Sequence, residues 1–170
     1  MEQTKVGSVS PELLDGEYLN DAGTDMLLAL LTKLRPGRWG RAFIPLRSLM
    51  VTVACELVIV ERRQVLLTYR EDKHFKGWHT PGTYIEPGED LQTTAQRCAT
   101  RELGEKVRVR FKGIIGAVNH PKSARFHDLS VLALCEIVEG SPTTGAWFSE
   151  CPKDLIPDHL EYWPMIEKVL

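Results

Sequence analysis

The segment from Trp78 to Gly104 constrains the fold more than any other part of the chain. It opens Trp78-His79-Thr80-Pro81-Gly82-Thr83-Tyr84-Ile85-Glu86-Pro87-Gly88-Glu89, a short strand followed by a loop that Gly and Pro punctuate and carboxylates crowd. Beyond Asp90, Leu91, Ala95, Ala99 and Leu103 recur every four residues, the spacing of a helix that turns one stripe inward. Arg97, Cys98, Arg101 and Glu102 fall on neighbouring faces. Strand, oxygen-rich loop and helix carboxylate together suit a divalent cation and a diphosphate. Mg²⁺ takes six oxygens and keeps several waters, so one or two carboxylates plus substrate phosphates complete its shell.

The rest of the chain supplies a frame for that segment. From Met50 to Val60 the sequence is β-branched and mostly apolar, and Glu61-Arg62-Arg63-Gln64 turns it into Val65 to Arg70, which predicts a hairpin in a core sheet. Further strands are expected at about Arg108 to Val118, Leu129 to Val138 and Gly145 to Phe148. A last helix is expected from Asp158 to Val169, kinked or shortened at Pro164. Upstream, Ser10-Pro11-Glu12 is a plausible helix start, and Asp21 to Leu34 carries leucines at helical spacing before Arg35-Pro36-Gly37-Arg38-Trp39-Gly40 breaks the chain. The reading is an N-terminal helical extension over 1–48 and one α/β domain of the α+β kind over 49–170, a mixed sheet between helical layers. At 170 residues and 43% hydrophobic, the chain suits one sizeable core.

The Trp78 to Gly104 segment resembles the Nudix box, whose pattern runs Gly, five spacers, Glu, seven spacers, then Arg-Glu-aliphatic-x-Glu-Glu-x-Gly-aliphatic. Glu89, Arg97, Glu102 and Gly104 match it, Ala99 stands in for an aliphatic residue, and Thr83, Cys98, Arg101 and Glu105 depart from it. The resemblance implies a Nudix-type α/β/α sandwich that uses Mg²⁺ or Mn²⁺ to act on a small nucleotide-type substrate. It places the metal on the Gly82 carbonyl and Glu102, with Glu86 a further candidate ligand. Arg97 to Gly104 is also similar to the box of the GDP-mannose mannosyl hydrolase branch, where one Mg²⁺ promotes departure of a nucleoside diphosphate and a His is the base. That favours a nucleoside diphosphate linked to another moiety, of the nucleotide-sugar kind. A rival register takes Arg101-Glu102-Leu103-x-Glu105 as the core of the box, one helical turn on. Both registers keep Glu102.

With Cys98 where the box has Glu, histidine is the residue closest to neutrality that remains for a base, and His127 and His159, each beside an Asp, lead over His120. Arg70, Arg97 and Arg125 are candidates to hold phosphates, since guanidinium matches phosphate oxygens in bidentate fashion. Each of these residues also has an ordinary alternative: a hydrogen-bonded loop histidine, a surface ion pair, or, for Glu89, a loop brace against Arg97. A binding module without turnover, in which Arg97 and Arg101 hold an anion, is the alternative reading of the whole chain. The leucine-rich face of Leu27 to Leu34 either packs onto its own domain or makes a homodimer or adaptor surface. Lys and Arg number 21 against 23 Asp and Glu, a net charge of -2, which argues against a nucleic-acid partner. No apolar run reaches the roughly 20 residues of a membrane span. Four cysteines without metal or disulfide spacing, and no basic-then-apolar leader, lead to the expectation of a reduced, cytoplasmic protein.

Overall fold

The structure, a computed structural model, describes residues 9–34 and 42–170. The chain divides into two compact units, Met1–Gly40 and Arg41–Leu170. The break expected at Arg35-Pro36-Gly37-Arg38-Trp39-Gly40 lies outside the described residues.

In the first unit a single 3-10 turn, Pro11–Leu13, stands where Ser10-Pro11-Glu12 suggested a helix. It leads into a two-stranded ribbon of β1 (Leu14–Asp15) and β2 (Tyr18–Leu19). Helix α1 then runs Asp21–Leu31, and Asn20 caps it by accepting from the Gly23 N–H at 2.9 Å. The helix stops short of the expected Leu34. Thr32 turns its hydroxyl onto the Ala29 carbonyl at 2.7 Å, the local bond by which Thr competes with helix propagation.

The second unit begins with a short helix, α2 (Phe43–Arg47), so the compact units part at Gly40, upstream of residue 48. Its sheet contains β3 (Thr52–Glu61), β4 (Gln64–Glu71), β5 (Lys76–His79), β6 (Gly82–Tyr84), β7 (Arg108–His120), β8 (Asp128–Glu139) and β9 (Ala146–Phe148). The main path is β5-β4-β3-β8-β7, with β6 added to β3 and β9 to β4. Among the named strands of the described residues, β3 and β8 pair in parallel and the other pairings are antiparallel, which makes the sheet mixed. The β3–β4 hairpin closes through Arg62 and Arg63 at φ 50° and 61°. Two consecutive left-handed residues give a two-residue connection whose twist matches that of the strands.

Side chains alternate across the strands and build two cores. Cys55, Leu57, Ile59 and Leu66 meet Ala95, Cys98, Ala99 and Leu103 of helix α3 (Leu91–Glu102) and its C-cap. Val58, Val65, Leu67 and Leu132 meet Leu155, Tyr162, Trp163 and Ile166 on the opposite side. The result is helix, sheet, helix. The C-terminal layer is not one helix from Asp158 to Val169 but α4 (Pro157–Leu160), α5 (Trp163–Ile166) and a 3-10 turn, Glu167–Val169. Pro164 sits in the first turn of α5, where its missing N–H costs nothing, and so starts a helix rather than bending one. Among the described residues no helix is long and apolar enough to cross a membrane.

Candidate functional site

The site is built around Gly82. Strand β6 pairs with β3 so that Gly82 stands opposite Glu56, and a Cβ at position 82 would lie 2.4 Å from Glu56 Oε2. A side chain there would have to push aside the Glu56 carboxylate that the Thr80 hydroxyl holds. The Thr80 hydroxyl donates to Glu56 Oε2 at 2.7 Å. Burial pushes Glu56 up to about 8 from an ordinary 4.5, against the Thr80 hydrogen bond that lowers it, and the Glu102 and Asp128 charges add to the rise. Near neutrality this carboxyl group is therefore mostly protonated, and it ionises as pH climbs through about 8.

Helix α3 delivers the second carboxylate. Asp90 caps it by accepting from the Thr93 N–H at 2.7 Å, and Gly104, at φ +132°, ends it. Glu105 thus lies past the helix in a turn, off the face the rival register needs. The exposed helix end is braced from the loop before β9: Thr143 bonds the Leu103 carbonyl at 2.8 Å through its N–H, and Thr144 bonds the Glu102 carbonyl. Glu102 Oε2 accepts from the Gly82 N–H at 3.3 Å. Its Oε1 accepts from Arg101 Nη2 at 2.6 Å, and the same nitrogen donates to the Gly82 carbonyl at 2.9 Å. Arg101 Nη1 reaches Thr83 Oγ1 at 3.1 Å.

The other box positions play supporting parts. Arg97 is fully engaged: Nε and Nη2 fork onto Glu89 at 2.7 and 2.6 Å, Nη2 also reaches the Tyr84 carbonyl at 2.8 Å, and Nη1 reaches Thr83 Oγ1. The Arg97 fork, helped by loop bonds, holds Glu89 down at about 2. This is the loop brace, and it leaves Arg97 little to offer a substrate. Glu86 faces Arg47 at 3.4 Å rather than Gly82, and Arg47 also lies over the Tyr84 ring. Cys98 is wholly buried in the core between helix and sheet, and burial pushes its thiol far up, away from thiolate.

The C-terminal segment brings a histidine to the same place. Trp78 of β5 exchanges backbone bonds with Asp154 and Ile156 at 2.9 Å each, which seats α4 beside Thr80. His159 Nδ1 accepts from the Thr80 N–H at 3.3 Å and lies 3.1 Å from its hydroxyl, so the neutral ring carries its proton on Nε2. Its ring packs edge-on to His79 and against Tyr162. Burial, with His79, His120 and Arg70 nearby, holds His159 well below the ordinary imidazole range. Glu56, Thr80 and His159 thus form one hydrogen-bonded chain. Arg70 and Arg125 come together on the Phe75 ring, 5.2 and 5.0 Å from its centre. Asp72 anchors Arg70 at 2.6 Å. His127, in contrast, bonds Asn119 at 2.7 Å, and His120 is a buried partner of the Tyr162 hydroxyl at 3.0 Å.

Of the residues expected from sequence, Gly82, Glu102 and His159 converge. Glu56 was missed. Its signal was there: a lone carboxylate in the otherwise apolar run Val51 to Val60. Among the described residues no group of three or more His, Cys, Asp or Glu side chains is placed to hold a metal. The Gly82 carbonyl and Glu102, which share Arg101 Nη2, and Glu56 beside the Gly82 Cα are oxygen donors of the kind that suits one hard cation keeping most of its waters. They do not fit a cluster of ions.

Comparison with known proteins agrees with the fold. The NUDIX domain family model matches residues 49–163. A UDP-X diphosphatase structure superposes with a TM-score of 0.59 at 12% identity, covering 93% of this chain and 75% of that one. An ADP-ribose pyrophosphatase from Streptococcus suis superposes at 0.56 and 15% identity, covering 71% of this chain and 92% of that one. A MutT NUDIX hydrolase from Burkholderia pseudomallei superposes at 0.57 and 19% identity, covering 71% and 99%. At such identities the likeness is one of fold. No curated protein sequence matches significantly.

Proposed function

The chain belongs to the Nudix hydrolase superfamily, and on that premise we propose that it hydrolyses a nucleoside diphosphate joined to a second group, with a nucleotide sugar as the favoured class. The observation that carries the reading is the convergence of Glu56 and Glu102 on Gly82 beside the Thr80–His159 pair. Similarity to proteins described as a UDP-X diphosphatase and an ADP-ribose pyrophosphatase supports the substrate class.

The Gly82 carbonyl, Glu102 and Glu56 would hold one Mg²⁺ or Mn²⁺, which when bound supplies Lewis-acid stabilisation to the leaving diphosphate. Arg70 and Arg125 neutralise phosphate charge from the Phe75 side. Ionised Glu56, held by the Thr80 hydroxyl, would take the proton of the attacking water and release it to solvent after the products leave, while His159 Nε2 donates a hydrogen bond to the reacting group. The Arg97–Glu89 fork keeps the loop that carries Gly82 in register.

The alternative, a module that binds a nucleotide without turning it over, is favoured by one observation: Arg101 sits on Glu102 and on the Gly82 carbonyl. A panel of nucleoside diphosphate sugars, ADP-ribose and nucleoside triphosphates, assayed with Mn²⁺ and with chelator, separates the two. Metal-dependent turnover that is lost in Glu102→Gln supports hydrolysis. Saturable nucleotide binding with no turnover of any panel member would establish the module instead.

A further inference from the structure

We infer that Arg101 is a resident cation of the Gly82–Glu102 site, and that a divalent metal ion binds only by displacing it; this rests on the reading of that site as the metal position. The geometry is specific. One guanidinium nitrogen, Nη2, bridges the Gly82 carbonyl at 2.9 Å and Glu102 Oε1 at 2.6 Å, the two groups a metal ion would share. A second, Nη1, rests on Thr83 Oγ1. A positive charge already satisfies the same oxygens.

Sequence neighbours on a helix do not share a face, so Arg101 and Glu102 would ordinarily diverge. They meet here because the long Arg101 stem curls toward the strand-loop backbone while Glu102 points at the Gly82 N–H. The Arg101 side chain is 54% exposed and Glu102 only 20%. The guanidinium therefore caps the site from its solvent side and can leave it without disturbing the core. Its hold is weak, because an ion pair of that exposure contributes little. Its charge still counts against a dication seeking the same two oxygens, since like charges at such range repel. A substrate phosphate would give the departing guanidinium a matching partner.

The consequence is a site that resists metal until substrate or high metal concentration draws Arg101 away. The test is Mn²⁺ binding alone, followed by calorimetry and by the loss of free-ion electron spin resonance signal, in the full chain. Arg101→Gln is expected to bind Mn²⁺ roughly 10-fold more tightly than wild type, from the lost pair and the lost repulsion together. Arg101→Ala is expected to do the same, which guards against a new bond from the Gln amide. Arg110→Gln, which removes an equal charge at an exposed pair with Glu136, is expected to leave the affinity at the wild-type value. Adding Glu102→Gln to Arg101→Gln is expected to abolish the gain.

Equal or weaker Mn²⁺ binding in both Arg101 variants overturns the inference, and if Glu102→Gln alone still weakens binding, the metal position survives that failure. A gain that persists in the double variant overturns it also, because the metal would then lie elsewhere. Absence of Mn²⁺ binding in wild type and Arg101 variants alike overturns both the inference and the metal reading beneath it.

Discussion

Replacing Glu56 with Gln tests the centre of the site through stability rather than activity. Glu56 is raised to about 8 from an ordinary 4.5 chiefly by burial. Between those two values the folded chain binds a proton that the unfolded chain releases. By linkage, stability then falls as pH rises: the favourable contribution is complete below about 4.5 and is lost as pH climbs through about 8. At about 1.4 kcal/mol per pKa unit, the loss relative to acid pH has reached on the order of 3–4 kcal/mol by pH 7–7.5. Gln keeps an oxygen to accept from Thr80 and cannot ionise. The variant is therefore expected to match wild type near pH 4.5 and to exceed it by about that amount at pH 7.5, or by roughly 6–15 °C in melting temperature for a chain of this size. Urea and thermal unfolding from pH 4.5 to 8.5, with chelator present, would measure this. Taking the difference between the proteins cancels shared groups that do not interact with Glu56. A difference that stays flat with pH, or a Gln variant less stable than wild type at pH 7.5, would refute the reasoning.

The remaining expectations are shorter. Arg97→Lys loses the fork onto Glu89 and the bond to Tyr84 and should cost about 2 kcal/mol, seen as a lower urea midpoint at unchanged slope. Because Glu89 is held at about 2, the Arg97–Glu89 contribution is present above the ordinary carboxylate range and is lost as pH falls toward 2, so wild type and variant should converge in acid. His159→Gln should lower turnover roughly 10²-fold with Mn²⁺ affinity nearly unchanged, while His127→Gln should turn over as wild type does; the reverse pattern would move the hydrogen-bonding role of His159 to the Asn119 side. Gly82→Ala should be destabilising, with its Cβ driven onto Glu56, and Glu56→Ala should relieve it; a double-mutant cycle with no coupling would deny the close approach.

The fold was legible where a single periodicity governs. The β3–β4 hairpin, α3 with its four-residue stripe, and strands β7 to β9 fall where side-chain alternation and turn residues place them. The C-terminal layer was harder, since apolar spacing survives when a helix breaks into α4 and α5, and Pro164 in the first turn of α5 starts a helix where the spacing suggested only a kink. In the site, Gly82 and Glu102 were legible because a local motif carries them. Glu56 was not, because a carboxylate in a strand reads as an exposed alternate until strand pairing puts a glycine opposite it. Nor could spacing foretell that Arg101 folds back onto the Gly82 carbonyl or that Arg97 is consumed by Glu89. Those are matters of side-chain reach across a loop.

The parallel pairing of β3 with β8 also governs how the chain must be made. β3 finds β4 and β6 on one edge soon after synthesis, but the partner for its other edge, from Thr52 to Ile59, is not complete until β8 has left the ribosome. In that interval an apolar strand has a row of unpaired backbone groups along one side, the condition in which strands join those of other molecules. A chain truncated before Asp128 keeps its hairpin and its box helix yet should collect in the insoluble fraction, whereas a chain ending after Glu139 has every strand that β3 needs.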